Sequence, residues 1–191
     1  GRMSIVFYKE MGFSKGDIAL YSKGIGWITT VVFTLLGGLF AIRSGVVKAM
    51  FISGILMALT NLLFSFLAWY VNVPDLHFAL QFNLLWIWDI TIDSSRLAFA
   101  LAVLLDDIAA AFATVAFVAF ISLLVDRTYT ATQYALLASI GTLGRTTLAA
   151  SSGELVDWLN GDWGIFFIIT TVMVIPSLIL LWFIRNKLRL K

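Results

Sequence analysis

The sequence predicts an all-α integral membrane protein, and three observations carry that prediction. Of its 191 residues, 61% are hydrophobic and only 13% are charged, and the mean hydropathy is +0.97. A soluble globular domain carries about 25% charged residues and a smaller apolar fraction. Apolar stretches long enough to span a bilayer recur along the chain, so they are not one signal peptide in front of a soluble domain.

The composition also excludes several chemistries. The chain has no Cys and a single His. Disulfides, thiolate metal sites and Cys nucleophiles are therefore excluded, and neither a His-based triad nor a two-His metal site can be assembled. We expect a protein that is not an enzyme and that has no metal, no other cofactor and no nucleic-acid partner.

The first two predicted spans lie in the N-terminal part of the chain. Ser14 and Asp17 have the spacing of a capping box at the start of a span over about 15–42. A second span covers about 47–71, and two aromatic residues of the kind found at membrane interfaces close it before Pro74.

Three further spans follow, over about 96–124, 131–158 and 163–184. Pro176 predicts a kink in the last of them, which neighbouring helices tolerate in a membrane. Residues 1–13 hold too few apolar residues to span, so we expect them to be the end of a truncated transmembrane helix. Residues 14–191 would then form the rest of the bundle.

Residues 72–95 are harder to assign. Their apolar core, "FALQFNLLWIW", is too short to span, and Trp residues stand close to Asp89 and Asp93. We expect an interfacial or re-entrant insert here, and the alternative is an extension of a neighbouring helix.

The loop charges predict the orientation, because cytoplasmic loops carry an excess of Lys and Arg. One side collects seven basic residues against the single acid Asp126, namely Arg43, Lys48, Arg127, Arg185, Lys187, Arg189 and Lys191. The other side collects acids, with Lys9 and Lys15 as the main exceptions: Asp75, Asp89, Asp93, Glu154, Asp157 and Asp162. The C-terminus is therefore expected in the cytoplasm.

The stretch "LAVLLDDIAAAFATVAF", residues 101–117, places Asp106 and Asp107 inside an apolar span. Counted from the loop between the third and fourth spans, Asp107 and Arg145 both lie roughly 27–29 Å along their helices, at 1.5 Å per residue. Antiparallel helices would therefore bring them to similar depth. The two acids are about 100° apart on the helix, so they cannot both face Arg145.

Two interpretations of these charges stay open. Ionisable residues inside a membrane commonly mark an ion or substrate path, and neighbouring carboxylates suit reversible protonation. The alternative is a static ion pair that fixes the helix register. Lys23 is a further candidate partner, although its long side chain could instead reach the outer interface. A stripe of small and polar residues runs along one face of the second span and consists of Gly54, Ala58, Asn61 and Ser65. Of these residues, we expect Asn61 to touch substrate.

The stretch "GLFAIRSGVVK", residues 38–48, resembles the short cytoplasmic-loop motif of the major facilitator superfamily. Gly38, Arg43, Gly45 and Lys48 fit the motif, whereas Ile42 stands where the family has Asp. This departure removes the acid of the gating salt bridge that the motif implies.

A more specific resemblance runs through "GFSKGDIALYSKGIG", the acidic pair and "YTATQYALLASIGTLGR". These stretches are similar to the C-terminal half of muropeptide permeases of the AmpG type, relatives of the acetyl-coenzyme A transporters. The resemblance implies half of a major facilitator superfamily bundle, with about five complete transmembrane helices and the end of a sixth. It departs at the acidic pair, where relatives more often have Glu followed by Asn, and at the insert 72–95.

The resemblance also implies a function. It predicts a proton-coupled symporter that imports anhydro-sugar peptides of the cell wall across the inner membrane. Asp106 or Asp107 would carry the proton, while Arg145, Lys23 and Asn61 would bind substrate or balance charge. The expected partners are the lipid bilayer, protons, a small sugar-peptide and the missing N-terminal half. A competing class is a non-transporting membrane scaffold or partner subunit.

Overall fold

The computed structural model describes residues 2–12, 14–19, 24, 26–73, 79–84, 88–125 and 130–185, with backbone only at 2–4, 17, 79–84, 88–93 and 130. Its elements follow one another as α1 (Arg2–Glu10), α2 (Lys15–Ile18), α3 (Gly26–Ser44), α4 (Val46–Val71), β1 (Ala79–Leu84), β2 (Trp88–Asp93), α5 (Ser94–Leu124), α6 (Thr130–Trp158) and α7 (Trp163–Ile184).

The predicted all-α membrane fold is confirmed. Four of the described helices are long and apolar enough to cross a membrane, namely α3, α4, α5 and α7. Helix α6 has the length that the sequence predicts for a span, but it is not among those four, because its second half is rich in Thr, Ser and charged residues. The predicted helix over 15–42 is described as α2 and α3, with residues 20–23 and 25 outside the described residues.

Helix α4 packs between α5 and α7. At one end of α4, the Tyr70 hydroxyl donates to Ser94 Oγ at the start of α5, at 2.8 Å. On another side of α4, Ser65 donates to the carbonyl of Gly164, near the start of α7, at 2.9 Å. These contacts make α4 antiparallel to both neighbours.

An aromatic core fills one end of this bundle. Phe7 of α1 is fully buried and lies 5.1 Å from Phe167 and 5.9 Å from Phe64, measured between ring centroids. The buried Trp163 donates from its indole nitrogen to Glu10 Oε2 at 2.6 Å. Helix α1 is thus tied into the core, a role that its low apolar content did not predict.

Small residues let the helices approach closely. Gly37 of α3 leaves room for the backbone of Phe112 on α5, whose Cα would lie 3.5 Å from a Cβ at this position. Gly54 of α4 faces Leu178 of α7, where an added Cβ would come within 2.7 Å of Leu178 Cδ2. The predicted stripe on α4 therefore packs against α7 at two of its residues, Gly54 and Ser65.

The segment between α4 and α5 contains an antiparallel ribbon that the sequence analysis missed. Its register pairs Leu80 with Ile92, Phe82 with Ile90 and Leu84 with Trp88. Apolar and polar residues alternate along both strands, which is the period of a half-buried strand. The alternative of a helix extension is wrong, because α4 ends at Val71 and α5 begins at Ser94. The interfacial position of the segment stays a prediction.

The described charges divide the bundle into two ends. The junction of α3 with α4 and the end of α7 form the basic end, with Arg43, Lys48 and Arg185. The opposite, acidic end carries Glu10, Glu154, Asp157 and Asp162, together with the basic residues Lys9, Lys15 and Arg96. This division follows the loop charges from which the orientation is predicted.

Candidate functional site

Asp106 of α5 is a half-buried carboxylate that faces α4. The hydroxyl of Thr60 lies 3.4 Å from Asp106 Oδ1 and 3.0 Å from the carbonyl oxygen of Met57 in its own helix. Thr60 itself is buried. A hydroxyl has one proton to donate and can also accept, so it can serve Asp106 in either protonation state.

Sequence reasoning missed Thr60, although helix geometry carries a signal for it. Thr60 lies eleven residues before the end of α4, and Asp106 lies twelve residues after the start of α5. At 1.5 Å per residue these positions are about 17 and 18 Å from the same end of the bundle. The same count of depth that relates Asp107 to Arg145 therefore predicts that Thr60 and Asp106 lie side by side on the adjacent helices α4 and α5.

Asp107 lies next to Asp106 but about 100° further round the helix. Its Oδ2 atom is buried, although the residue as a whole is only half-buried. Asp106 is half-buried as well, and it is the member of the pair that contacts Thr60. Which of the two acids carries a proton stays a prediction.

Arg145 lies in the middle of α6, and its side chain is exposed. Within the described residues, no ion pair joins Arg145 to Asp106 or Asp107. Helix α6 touches α5 where Gly141 meets Phe117, since a Cβ on Gly141 would lie 2.6 Å from the Phe117 ring. Gly144, also expected at a close approach, has nothing within 4 Å of an added Cβ. The charge-balancing role of Arg145 stays a prediction.

Two further predicted site residues are Asn61 and Lys23. Asn61 shares the α4 stripe whose other members Gly54 and Ser65 contact α7, whereas its neighbour Thr60 contacts Asp106. Lys23 lies outside the described residues. The small-residue stripe thus predicts helix packing better than it predicts a substrate contact.

Helix α6 carries an exposed polar stretch around Arg145. Thr142, Thr146 and Thr147 donate their hydroxyls to carbonyls one turn earlier in the same helix, at 2.8–2.9 Å. Their donors are satisfied internally, so their oxygens remain able to accept from a ligand. A guanidinium among such hydroxyls has the chemistry to hold a carboxylate and polar groups together.

The residues of the loop motif lie at the α3–α4 junction. Gly38 and Arg43 belong to α3, Lys48 belongs to α4, and Gly45 links the two helices with a φ of 91°. That left-handed conformation favours glycine, which explains Gly45 in the motif. In the described part of the chain, no group of three or more His, Cys, Asp or Glu residues could hold a metal ion.

Comparison with known proteins identifies a group of relatives. The protein named "Putative transporter AmpG 4" of Rickettsia conorii is 32% identical over 187 residues, which cover 98% of this chain and 39% of that protein. Anhydromuropeptide permease of Escherichia coli strain K12 is 27% identical over 180 residues, which cover 94% of this chain and 32% of that protein. The relatives of the present chain are therefore AmpG-type transporters.

The extent of these matches agrees with the resemblance to one half of a transporter. The chain spans about a third to two fifths of the length of the curated relatives that it matches. No family model and no solved structure matches the chain. These relatives are named as transporters or permeases and not as enzymes, in line with the expected class.

Proposed function

We propose that this chain is the C-terminal half of a proton-coupled symporter that imports anhydromuropeptides across the inner membrane. One observation carries the proposal. A half-buried carboxylate, Asp106, lies in the middle of an apolar helix and contacts a hydroxyl of the neighbouring helix, in a chain whose relatives are AmpG-type transporters. Intramembrane acids that face the interior of a bundle are suited to carry protons.

Thr60 supports a protonation switch at Asp106. When Asp106 is ionised, the Thr60 proton points to the carboxylate; when Asp106 is protonated, Thr60 accepts from it and donates to the Met57 carbonyl. Each proton transfer thus changes the hydrogen bonding between α4 and α5. A proton can in this way shift the populations of inward-open and outward-open states.

The substrate is proposed from the names of the relatives and from the chemistry of α6. Arg145 and the hydroxyls around it offer a cation and several acceptors on an exposed face. An anhydromuropeptide carries carboxylates, hydroxyls and amides, which match these groups. Asp107, Lys23 and Asn61 complete the proposed set, with the N-terminal half of the transporter supplying the opposite wall.

The loop charges support the proposed orientation. The basic end, with Arg43, Lys48 and Arg185, would face the cytoplasm and place the C-terminus there. The acidic end would face outward.

The proposal is tested by uptake of labelled anhydromuropeptide in cells that lack their own permease and express the full-length protein. Asp106→Asn is expected to abolish proton-driven uptake at normal membrane abundance, and a protonophore is expected to stop uptake by the unmodified protein. Glu154→Gln, at an exposed acid near the end of α6, is the control that keeps its activity. Unchanged uptake in Asp106→Asn contradicts the proton role, and loss of abundance instead supports the scaffold alternative.

A further inference from the structure

A groove lies between α4 and α7 at the basic end of the bundle, far from Asp106. It encloses a cavity of about 400 Å³. Its lining combines two cations with large apolar side chains, and it consists of Val47, Lys48, Phe51, Ile52, Leu181, Trp182 and Arg185.

The two cations lie where the spans end. Lys48 is the third residue of α4, and Arg185 directly follows the last residue of α7. The guanidinium carbon of Arg185 lies 4.7 Å from the centroid of the Trp182 ring, so a cation–π contact holds this cation at the mouth of the groove. Trp and basic residues at the ends of spans lie at the level of lipid headgroups.

The apolar part of the groove opens outward from the bundle. Ile52 is 38% exposed and Trp182 is 47% exposed, although both belong to helices apolar enough to span a membrane. In a bilayer this surface meets acyl chains. The groove therefore continues from headgroup depth, at the cations, into the hydrocarbon region.

The charge of the groove favours an anion. Among the described residues, every carboxylate lies either in the middle of α5 or at the acidic end, so none lies beside Lys48 and Arg185. Basic pockets between transmembrane helices are suited to anionic headgroups.

We propose that this groove binds one anionic phospholipid of the surrounding leaflet. The phosphate lies between Lys48 and Arg185, and an acyl chain lies along Phe51, Ile52 and Leu181. Two cations with no described carboxylate nearby select a net negative headgroup over a zwitterionic one. The site lies on the outer surface of α4 and α7, and the proposal does not depend on the nature of the transported substrate.

Native mass spectrometry of the purified full-length protein tests the proposal, with phosphatidylglycerol and phosphatidylcholine of matched chains as probes. Phosphatidylglycerol is expected to bind about tenfold more tightly. Lys48→Gln and Arg185→Gln are each expected to weaken its binding about fivefold, the effect of one basic residue near an anionic surface. Binding of phosphatidylcholine should change less than twofold.

Arg43→Gln is the matched control, because Arg43 lies at the same end but does not line the groove. It should weaken binding less than twofold, and the charge-conserving variants Lys48→Arg and Arg185→Lys should retain binding. Equal affinity for the two lipids, or an equal loss in the Arg43→Gln control, overturns the proposal. Binding of glycerol 3-phosphate as tight as that of the lipid also overturns it, because the apolar groove would then contribute nothing.

Discussion

The hydroxyl of Thr60 on α4 lies 3.4 Å from Oδ1 of Asp106 on α5 and 3.0 Å from the carbonyl oxygen of Met57. One proton is thus shared between two acceptors, and the state of Asp106 decides which of them receives it. The contact links the proposed proton carrier to the packing of two spans.

Thr60→Val removes this donor while keeping the shape of the side chain. Hydrogen bonds to charged groups contribute about 1.5–3 kcal/mol, so the ionised form of Asp106 loses that support. We expect the pH of half-maximal uptake to change by less than about one unit, because the 3.4 Å contact is long for a hydroxyl hydrogen bond and one unit corresponds to about 1.4 kcal/mol. Uptake measured from pH 5 to 8 checks this.

Thr60→Ser keeps the hydroxyl and should keep the profile of the unmodified protein. Thr170→Val is the matched control, because the Thr170 hydroxyl donates only to the Phe167 carbonyl in its own helix. A profile for Thr60→Val that coincides with these controls would exclude Thr60 from proton coupling.

Arg145→Gln separates a transport role from a structural ion pair. Arg145 is exposed, and substitutions at exposed positions usually change the free energy of unfolding by less than about 0.5 kcal/mol. We expect uptake to fall at least tenfold while the thermal unfolding midpoint and abundance stay unchanged. A loss of uptake that merely parallels a loss of abundance would instead favour the scaffold alternative.

Gly141 and Gly144 are expected to respond oppositely to the same substitution. An added Cβ meets Phe117 at 2.6 Å at Gly141 and nothing within 4 Å at Gly144. Because Ala is favoured over Gly inside a helix by about 0.5–1 kcal/mol, Gly144→Ala should raise the thermal midpoint. Gly141→Ala should lower it, because the Phe117 ring would have to move aside and lose its contact with α6, and equal midpoints would mean that α6 does not pack there.

Glu10→Ala tests whether α1 is tied to the rest of the bundle. The Trp163 indole is only 2% exposed and donates to Glu10, so its N–H would lose its buried acceptor, at about 1–3 kcal/mol. We expect a lower thermal midpoint for Glu10→Ala and a smaller loss for Glu10→Gln, which keeps an acceptor. Glu154→Ala, at an exposed position, provides the baseline, and a midpoint for Glu10→Ala at that baseline would argue against the contact.

Apolar runs and their polar boundaries were sufficient to predict most helices. The predicted spans 47–71, 96–124, 131–158 and 163–184 agree with α4 to α7 within two residues at each end. The capping residue Asp162, which accepts from the backbone N–H of Ile165, marks one such boundary. The ribbon was not predicted, although its residues alternate with the two-residue period of a strand, because the shortness of the apolar core and the nearby Trp and Asp residues indicated an interfacial or re-entrant insert.

Composition and periodicity are local properties of the chain, so they were sufficient to predict the membrane fold, most helix boundaries and the acids inside a span. The neighbours of those acids depend instead on how the helices pack. The tertiary structure placed Thr60 beside Asp106, turned the stripe with Gly54 and Ser65 toward α7, and buried Phe7 in the aromatic core. The rotation of each helix about its axis selects these contacts, and packing between helices sets that rotation.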